Sequence, residues 1–271
     1  MSFGFAAVLQ GVATRRTPDR GGVDPGLLVR LARDRVFLAS VALNLLGFGL
    51  HVTALQYLPL FLVQAVIASS VAVTALLSIR VFGTPLTRGQ WVSVALVVVG
   101  LAVLGPTAQT NDAVTGGTSE TLALLAAVVV AGLASVAAAR LPERAVPLVL
   151  GLLAGVAYGV VALSARLLPD LSPGALLGSL ATYVLVLAGL VAFLLYSTAM
   201  QRGSVTTTTA ALVITQTAFP ALVGVLLLGD RVKDGLAPVA VAGFLLALGG
   251  AVGLARFEGG QHAEPAAAER G

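Results

Sequence analysis

Apolar residues along this chain form nine long runs, separated by short segments rich in glycine, proline and charge. The runs cover 1–14, 36–57, 60–82, 90–105, 121–139, 147–167, 180–200, 204–228 and 237–255. A helix needs about 20 apolar residues to cross a hydrocarbon core of about 30 Å. The pattern predicts an all-α polytopic membrane protein with about nine transmembrane helices, of which the first is short.

The composition supports this prediction. The chain is 58% apolar and 10% charged, whereas soluble domains carry about 25% charged residues. Residues 256–271 are polar and too poor in apolar side chains for a core, so they predict a disordered cytoplasmic tail. There is no cysteine, which excludes disulfides and thiolate metal sites.

Two parts of the chain are divergent copies of one module. Four identities share an offset of 145: Phe48 with Phe193, Ala54 with Ala199, Gln56 with Gln201 and Ala65 with Ala210. At an offset of 146, one residue more, Gly83-Thr84-Pro85-Leu86 aligns with Gly229-Asp230-Arg231-Val232. The predicted repeats are 1–105 and 147–255, joined by a linking helix at 121–139. A shift of five spans reverses direction, so the repeats are inverted, which is typical of alternating-access transporters.

The amino terminus is the weakest part of this alignment. Arg15 aligns with Arg166, and in that register the first run lacks about five residues that 147–167 contains. Either the true start lies a few residues upstream, which we favour, or the first helix is thin.

Basic residues predict the orientation. With the amino terminus outside, thirteen of the sixteen fall on the cytoplasmic side, and the outer side holds Arg166, Arg231 and Lys233. The positive-inside rule therefore predicts an outside amino terminus and a cytoplasmic carboxyl terminus in a bacterial inner membrane. The net charge of +4 follows from this topology and does not indicate nucleic-acid binding.

Polar residues inside the spans are candidates for a substrate pathway, because a polar group in hydrocarbon needs a partner or a cavity. His51 could relay protons or bind a solute, and Gln216 carries two donors and an acceptor. Pro220 frees the carbonyl of Gln216 from its helical partner. The candidates are Asn44, His51, Ser69, Ser70, Tyr158, Tyr196, Thr215 and Gln216.

Each candidate also has a purely structural interpretation. His51 could bond a neighbouring carbonyl, and Gln216 could form a hydrogen bond between helices. Gly151, Gly155 and Gly159 form a stripe that predicts close helix packing. Gly249 and Gly253 of the last run are likewise predicted to mediate helix packing. Arg166 ends a run, where a snorkelling side chain is expected.

No catalytic or metal chemistry is evident. Every acidic residue lies in a loop, at a helix end or in the tail, which disfavours both a carboxylate proton carrier and a dehydrated magnesium site. There is no HExxH, P-loop or GxSxG motif. The sequence predicts that the protein is not an enzyme and holds no metal or cofactor.

Several short motifs resemble the drug/metabolite transporter superfamily, with EamA-like repeats. They are Ala54-Leu55-Gln56, Leu228-Gly229-Asp230-Arg231-Val232, the mid-span Pro220, and the last-helix glycines Gly249 and Gly253. The family usually has ten helices, and this chain resembles that plan without the first. It is thus also similar to the nine-helix NIPA-type magnesium transporters. The segment Gly83-Thr84-Pro85-Leu86 lacks the acidic-basic pair of the family signature.

The resemblance and the repeats together imply a secondary transporter of small organic solutes. Two alternatives stay open: a NIPA-like permease for magnesium or other divalent cations, and a non-transporting scaffold subunit of an envelope complex. The expected partners are a small-molecule solute and the lipid bilayer. The sequence leaves the solute, the direction, the coupling ion and a homodimer undecided.

Overall fold

The computed structural model describes Leu9 and residues 35–83, 85–109, 117–138, 140–143, 145–168, 172–202 and 205–261. These residues form ten α-helices, which supply eight stretches long and apolar enough to cross a membrane. The prediction of an all-α polytopic membrane protein is confirmed. The helices are α1 (Arg35–Tyr57), α2 (Leu60–Ala68), α3 (Ser70–Phe82), α4 (Arg88–Leu104), α5 (Thr118–Ala138), α6 (Val146–Arg166), α7 (Pro173–Gly178), α8 (Leu180–Arg202), α9 (Val205–Leu227) and α10 (Ala237–Gln261).

Most helix boundaries lie within three residues of those that the apolar runs predict. Helices α2 and α3 form one span with a turn at Ser69, and α7 is a short helix that the sequence pattern did not predict. Helix α10 continues to Gln261, so the first six residues of the predicted tail, from 256, are helical. The predicted span at 1–14 lies outside the described residues, apart from Leu9.

Helix α6 is the centre of the bundle and packs against α5, α8 and α9. Most of its side chains are buried, because neighbouring helices surround it. One core cluster joins Leu150 and Ala154 of α6 to Leu195 of α8 and Leu212 of α9. Helices α5, α8 and α9 therefore surround a single helix, α6.

Helices α4 and α10 approach each other through glycines. A Cβ built at Gly243 would lie 2.9 Å from the carbonyl oxygen of Gly100, and one at Gly250 would lie 2.5 Å from the carbonyl oxygen of Ser93. Such short distances leave no space for side chains, so the two backbones are in contact.

The most extensive contacts between the two halves pair helices that align in the predicted repeat. Helix α2 packs on α9, and α4 packs on α10. The aligned glycines Gly83 and Gly229, each in the segment that follows its span, have φ angles of 69° and 71°. This left-handed conformation strains any residue with a Cβ. The two aligned segments thus share a backbone requirement as well as a sequence pattern.

Two inter-span segments meet at one end of the bundle. Ala108 pairs with Val232 in an isolated antiparallel β-bridge. The amide of Lys233 donates to the carbonyl of Thr107 at 2.9 Å, and that of Gln109 donates to Arg231 at 3.3 Å. These bonds tie the end of α4 to the segment between α9 and α10.

Candidate functional site

A cavity of about 340 Å³ lies between α1 and the α2–α3 span. Its polar lining side chains are His51 and Ser70, and the other lining residues are apolar or glycine. A volume of this size falls in the range of small-molecule sites, which are also mostly apolar with a few polar groups. The cavity thus contains two of the eight residues predicted to line a pathway.

His51 is half-buried, and its ring lies 6.5 Å from that of Phe48 at an angle of 45°. Its Nδ1 atom is buried and has no hydrogen-bond partner among the described residues. An unpaired polar atom in hydrocarbon is costly. A ligand, a water molecule or another part of the chain would relieve that cost.

The same cavity has a filled counterpart in the second predicted repeat. At the offset of 145, the lining residues of α1 align with residues of α8: Gly47, Leu50, His51 and Ala54 with Ala192, Leu195, Tyr196 and Ala199. Those of the α2–α3 span align with residues of α9: Val63, Val66, Ile67 and Ser70 with Thr208, Ala211, Leu212 and Thr215. The α8 and α9 residues line a groove that α6 occupies.

None of the described residues fills the cavity beside α1, whereas α6 fills the groove beside α8, and both side-chain exposure and packing show this difference. Leu50 is 59% exposed, whereas its counterpart Leu195 is 7% exposed. A Cβ at Gly155 would lie 2.6 Å from the Cβ of Thr215, the counterpart of Ser70. The cavity therefore has the shape of a seat for a helix. The expected counterpart of α6, residues 1–14, lies outside the described residues, apart from Leu9.

The glycine stripe of α6 faces α9 along its length. Hypothetical Cβ atoms at Gly151, Gly155 and Gly159 would lie 2.8 Å from the Thr208 carbonyl oxygen, 2.6 Å from Thr215 and 2.6 Å from Phe219. In α10, a Cβ built at Gly253 would lie 2.5 Å from the Ser93 hydroxyl oxygen. A Cβ built at Gly249 would have no described atom within 4 Å. Among the described residues, Gly250 rather than Gly249 makes the close contact with α4, and the packing role of Gly249 stays a prediction.

Several predicted pathway hydroxyls bond to their own helices. Ser69 donates to the carbonyl of Val66 at 2.6 Å, and Thr215 donates to that of Ala211 at 3.0 Å. Both hydroxyls are thereby satisfied without any solute, although each retains acceptor capacity.

The remaining candidates lie in three places. Tyr158 and Tyr196 pack against the same core cluster, and the Tyr196 hydroxyl is 3.0 Å from that of Thr209. Gln216 is half-buried beside Gly155, whose hypothetical Cβ would lie 3.0 Å from the Gln216 amide nitrogen. Asn44 is half-buried on α1, outside the cavity lining. The structure does not gather the eight candidates into one site.

A buried ion pair within the second predicted repeat is hydrogen-bonded to the first. Arg166 and Asp230 lie 3.5 Å apart, Nη2 to Oδ1, and both side chains are fully buried. The Arg166 guanidinium also donates to the carbonyls of Leu55 and Leu58, the latter at 2.9 Å. The expectation that Arg166 snorkels is wrong, because a carboxylate and two carbonyls hold its guanidinium inside the protein.

More hydrogen bonds surround this pair. The Leu60 amide donates to Asp230, and Gln56 donates to the carbonyl of Ala165 at 2.8 Å. The Asp230 amide donates to the carbonyl of Gly224 at 2.9 Å. We call Gln56, Leu58, Leu60, Arg166 and Asp230 the polar latch, since they connect the α1–α2 corner to the ends of α6 and α9.

Two buried polar residues, Asp230 and Gln64, were not among the predicted site residues, although the sequence contains partial signals for both. Asp230 was visible in the family-like signature, but its partner could not be read from the pattern. Gln64, in the middle of an apolar run, is buried and aligns with Thr209 at the offset of 145. A search for polar residues at repeat-equivalent positions would have found it.

No group of three His, Cys, Asp or Glu residues in the described segments is arranged to hold a metal ion. The cation alternative therefore has no carboxylate site in this part of the chain.

Residues 4–105 match the EamA-like transporter family. The match covers the first predicted repeat and confirms the resemblance to the drug/metabolite transporter superfamily, whose EamA-like members are membrane transporters of small solutes. It does not distinguish a NIPA-type subtype. Comparison with curated proteins and with solved structures gave no match.

Proposed function

We propose that this EamA-like protein is a secondary transporter of small organic solutes that works by alternating access. The observation that carries the proposal is the pairing of aligned helices across the two halves, α2 with α9 and α4 with α10. In an assembly with a pseudo-twofold axis, helices that contact their own counterparts lie beside that axis. Two half-bundles related in this way can rock about a site between them.

The chemistry of the spans favours an uncharged, zwitterionic or bulky apolar solute. The polar side chains near the cavity and along α9 are an imidazole, hydroxyls and an amide. Arg166 and Asp230 form a buried ion pair whose opposite charges balance each other. A solute with a large net charge would lack a compensating partner in these spans.

The proposed orientation places the polar latch outside the cell. The segments that meet at that end carry Arg166, Arg231 and Lys233. The opposite end carries a larger number of basic residues, among them Arg35, Arg88 and Arg140. Retention of the more basic end in the cytoplasm is the arrangement that the positive-inside rule favours. The membrane would be the bacterial inner membrane.

Uptake by purified protein in liposomes tests the proposal. We expect accumulation of a neutral or zwitterionic organic solute and no uptake of magnesium beyond that of empty liposomes. Saturable magnesium uptake would favour the divalent cation alternative. Stoichiometric co-purification of one envelope protein, with no transport of any solute, would favour the scaffold alternative.

A further inference from the structure

We infer that the polar latch is a one-sided lock that holds the outer end of the transporter closed and must open in every cycle. This inference rests on the proposed function, since only alternating access requires that end to open. Its basis is the combination of a fully buried ion pair, hydrogen bonds between the repeats and the absence of an aligned acid in the first repeat.

The latch joins parts that a rocking motion would separate. Arg166 belongs to the second repeat, whereas its acceptor carbonyls on Leu55 and Leu58 belong to the first. Asp230 belongs to the second repeat and accepts from the Leu60 amide of the first. All these groups lie at one end of the bundle. Separation of the repeats there would break every one of these bonds.

The layer beneath the latch is apolar and tightly packed. Leu55, Leu60, Ala162 and Leu163 are almost fully buried and form one core cluster. A Cβ at Gly224 would lie 2.5 Å from Asp230 Oδ2 and 2.9 Å from Leu60 Cδ1. Among the described residues, the latch thus lies over a tightly packed apolar layer.

The aligned position in the first repeat lacks the acid. Thr84 aligns with Asp230, and the other aligned pair, Gly83 with Gly229, retains the glycine. A threonine cannot form an ion pair with an arginine. In the aligned sequence the acid of the lock is therefore present at one end only, and the lock favours the state in which the outer end is closed. Because the intact latch stabilises the closed state of the outer end relative to the open state, it raises the population of the closed state.

Cysteine labelling measures this population directly, and the chain contains no native cysteine. Ala162→Cys reports beneath the latch. Ala138→Cys reports at the opposite end, where Ala138 is buried at the end of α5. Each reporter is combined with Asp230→Asn. Asp234→Asn is the matched control, because Asp234 is exposed and lies in the same loop.

We expect Asp230→Asn to raise the rate at which an impermeant maleimide labels Cys at position 162 from outside by about tenfold. Labelling at position 138, measured in inside-out vesicles, should stay constant or fall. Asp234→Asn should change neither rate. An increase at both reporters would overturn the inference, because it would indicate general loosening of the bundle.

A second variant guards against misfolding, since Asp230→Asn leaves the Arg166 charge without its partner. The double variant Arg166→Gln, Asp230→Asn removes both charges and should show the same one-sided increase. Protection at position 162 in a folded double variant would overturn the lock. So would loss of folded protein in both variants, because a contact that opens in each cycle cannot be essential for the fold.

These measurements need no solute, so they separate the lock from the proposed function. One-sided opening without transport in liposomes would support the lock and contradict the transporter proposal. If the wild-type protein transports solute but Cys at position 162 stays protected from maleimide in every variant, the transporter proposal would be supported and the lock contradicted.

Discussion

Gly155 of α6 and Thr215 of α9 are in such close contact that a Cβ on the glycine would lie 2.6 Å from the Thr215 Cβ. The nearby carbonyl oxygen of Leu212 would lie 2.8 Å away. Because backbone atoms cannot move aside as a flexible side chain can, these distances make the position sensitive to one added methyl group. The contact fixes the separation of the two central helices of the second repeat.

We predict that Gly155→Ala destabilises the protein by about 1–3 kcal/mol through overpacking, although alanine favours a helix by up to about 1 kcal/mol. Thermal unfolding in detergent measures the effect. The matched control is Gly132→Ala on α5, where no described atom lies within 4 Å of the added Cβ. Its melting temperature should stay the same or rise. Equal behaviour of the two variants would contradict the packing argument.

The orientation can be tested with two exposed positions, Arg140 and Lys233. We predict that Lys233→Cys reacts with an impermeant maleimide on intact cells and that Arg140→Cys reacts only after the membrane is opened. The reason is the unequal distribution of basic residues between the two ends. The opposite labelling pattern would show that the proposed topology is inverted.

Hydropathy was enough to predict the eight described spans, because lipid requires long apolar helices and leaves few other solutions. The chemistry at the helix ends was less accessible. Arg166 follows an apolar run, where an arginine usually reaches the interface, and its burial depends on Asp230, which is distant in sequence. Only the fold brings those two side chains together.

The glycines of α10 show a second limit. Gly249, Gly250 and Gly253 lie close together in sequence, but each residue step rotates the side chain direction by about 100°. The sequence pattern could not decide which of these faces α4. In the structure, Gly250 and Gly253 meet Ser93, and Gly249 does not.

Gln216 distinguishes a pathway role from a packing role. We predict that Gln216→Leu abolishes transport while the melting temperature stays near that of the wild type, because an apolar replacement is favourable in a bilayer. If the side chain only ties two helices together, the variant should instead lose up to about 2 kcal/mol of stability. Its folded fraction should then still transport solute.

Both quantities should be measured on one preparation of Gln216→Leu. Ile214→Ala provides a control on the same helix, since Ile214 is exposed on the outside of the bundle and carries no hydrogen-bonding group. Full transport by a destabilised Gln216→Leu variant would remove Gln216 from the pathway.

The cavity beside His51 also allows a test of the repeat at the level of single residues. In the register that aligns Arg15 with Arg166, Gly4 aligns with Gly155. Ser70 aligns with Thr215, the contact of Gly155. The repeat therefore predicts that Gly4→Cys and Ser70→Cys, placed in one chain, form a disulfide on mild oxidation.

The disulfide pair needs a control at the same depth. Gly4→Cys combined with Val98→Cys should not cross-link, because Val98 is exposed on the outer surface of α4 and outside the cavity lining. Cross-linking is read from a shift in gel mobility that a reducing agent reverses. A positive result would identify the cavity as the seat of the first helix and would place the solute elsewhere, between the two repeats. If the Gly4–Ser70 pair fails to cross-link while maleimide still reaches Cys at position 70, the cavity is open in the protein and His51 becomes the leading candidate for solute binding.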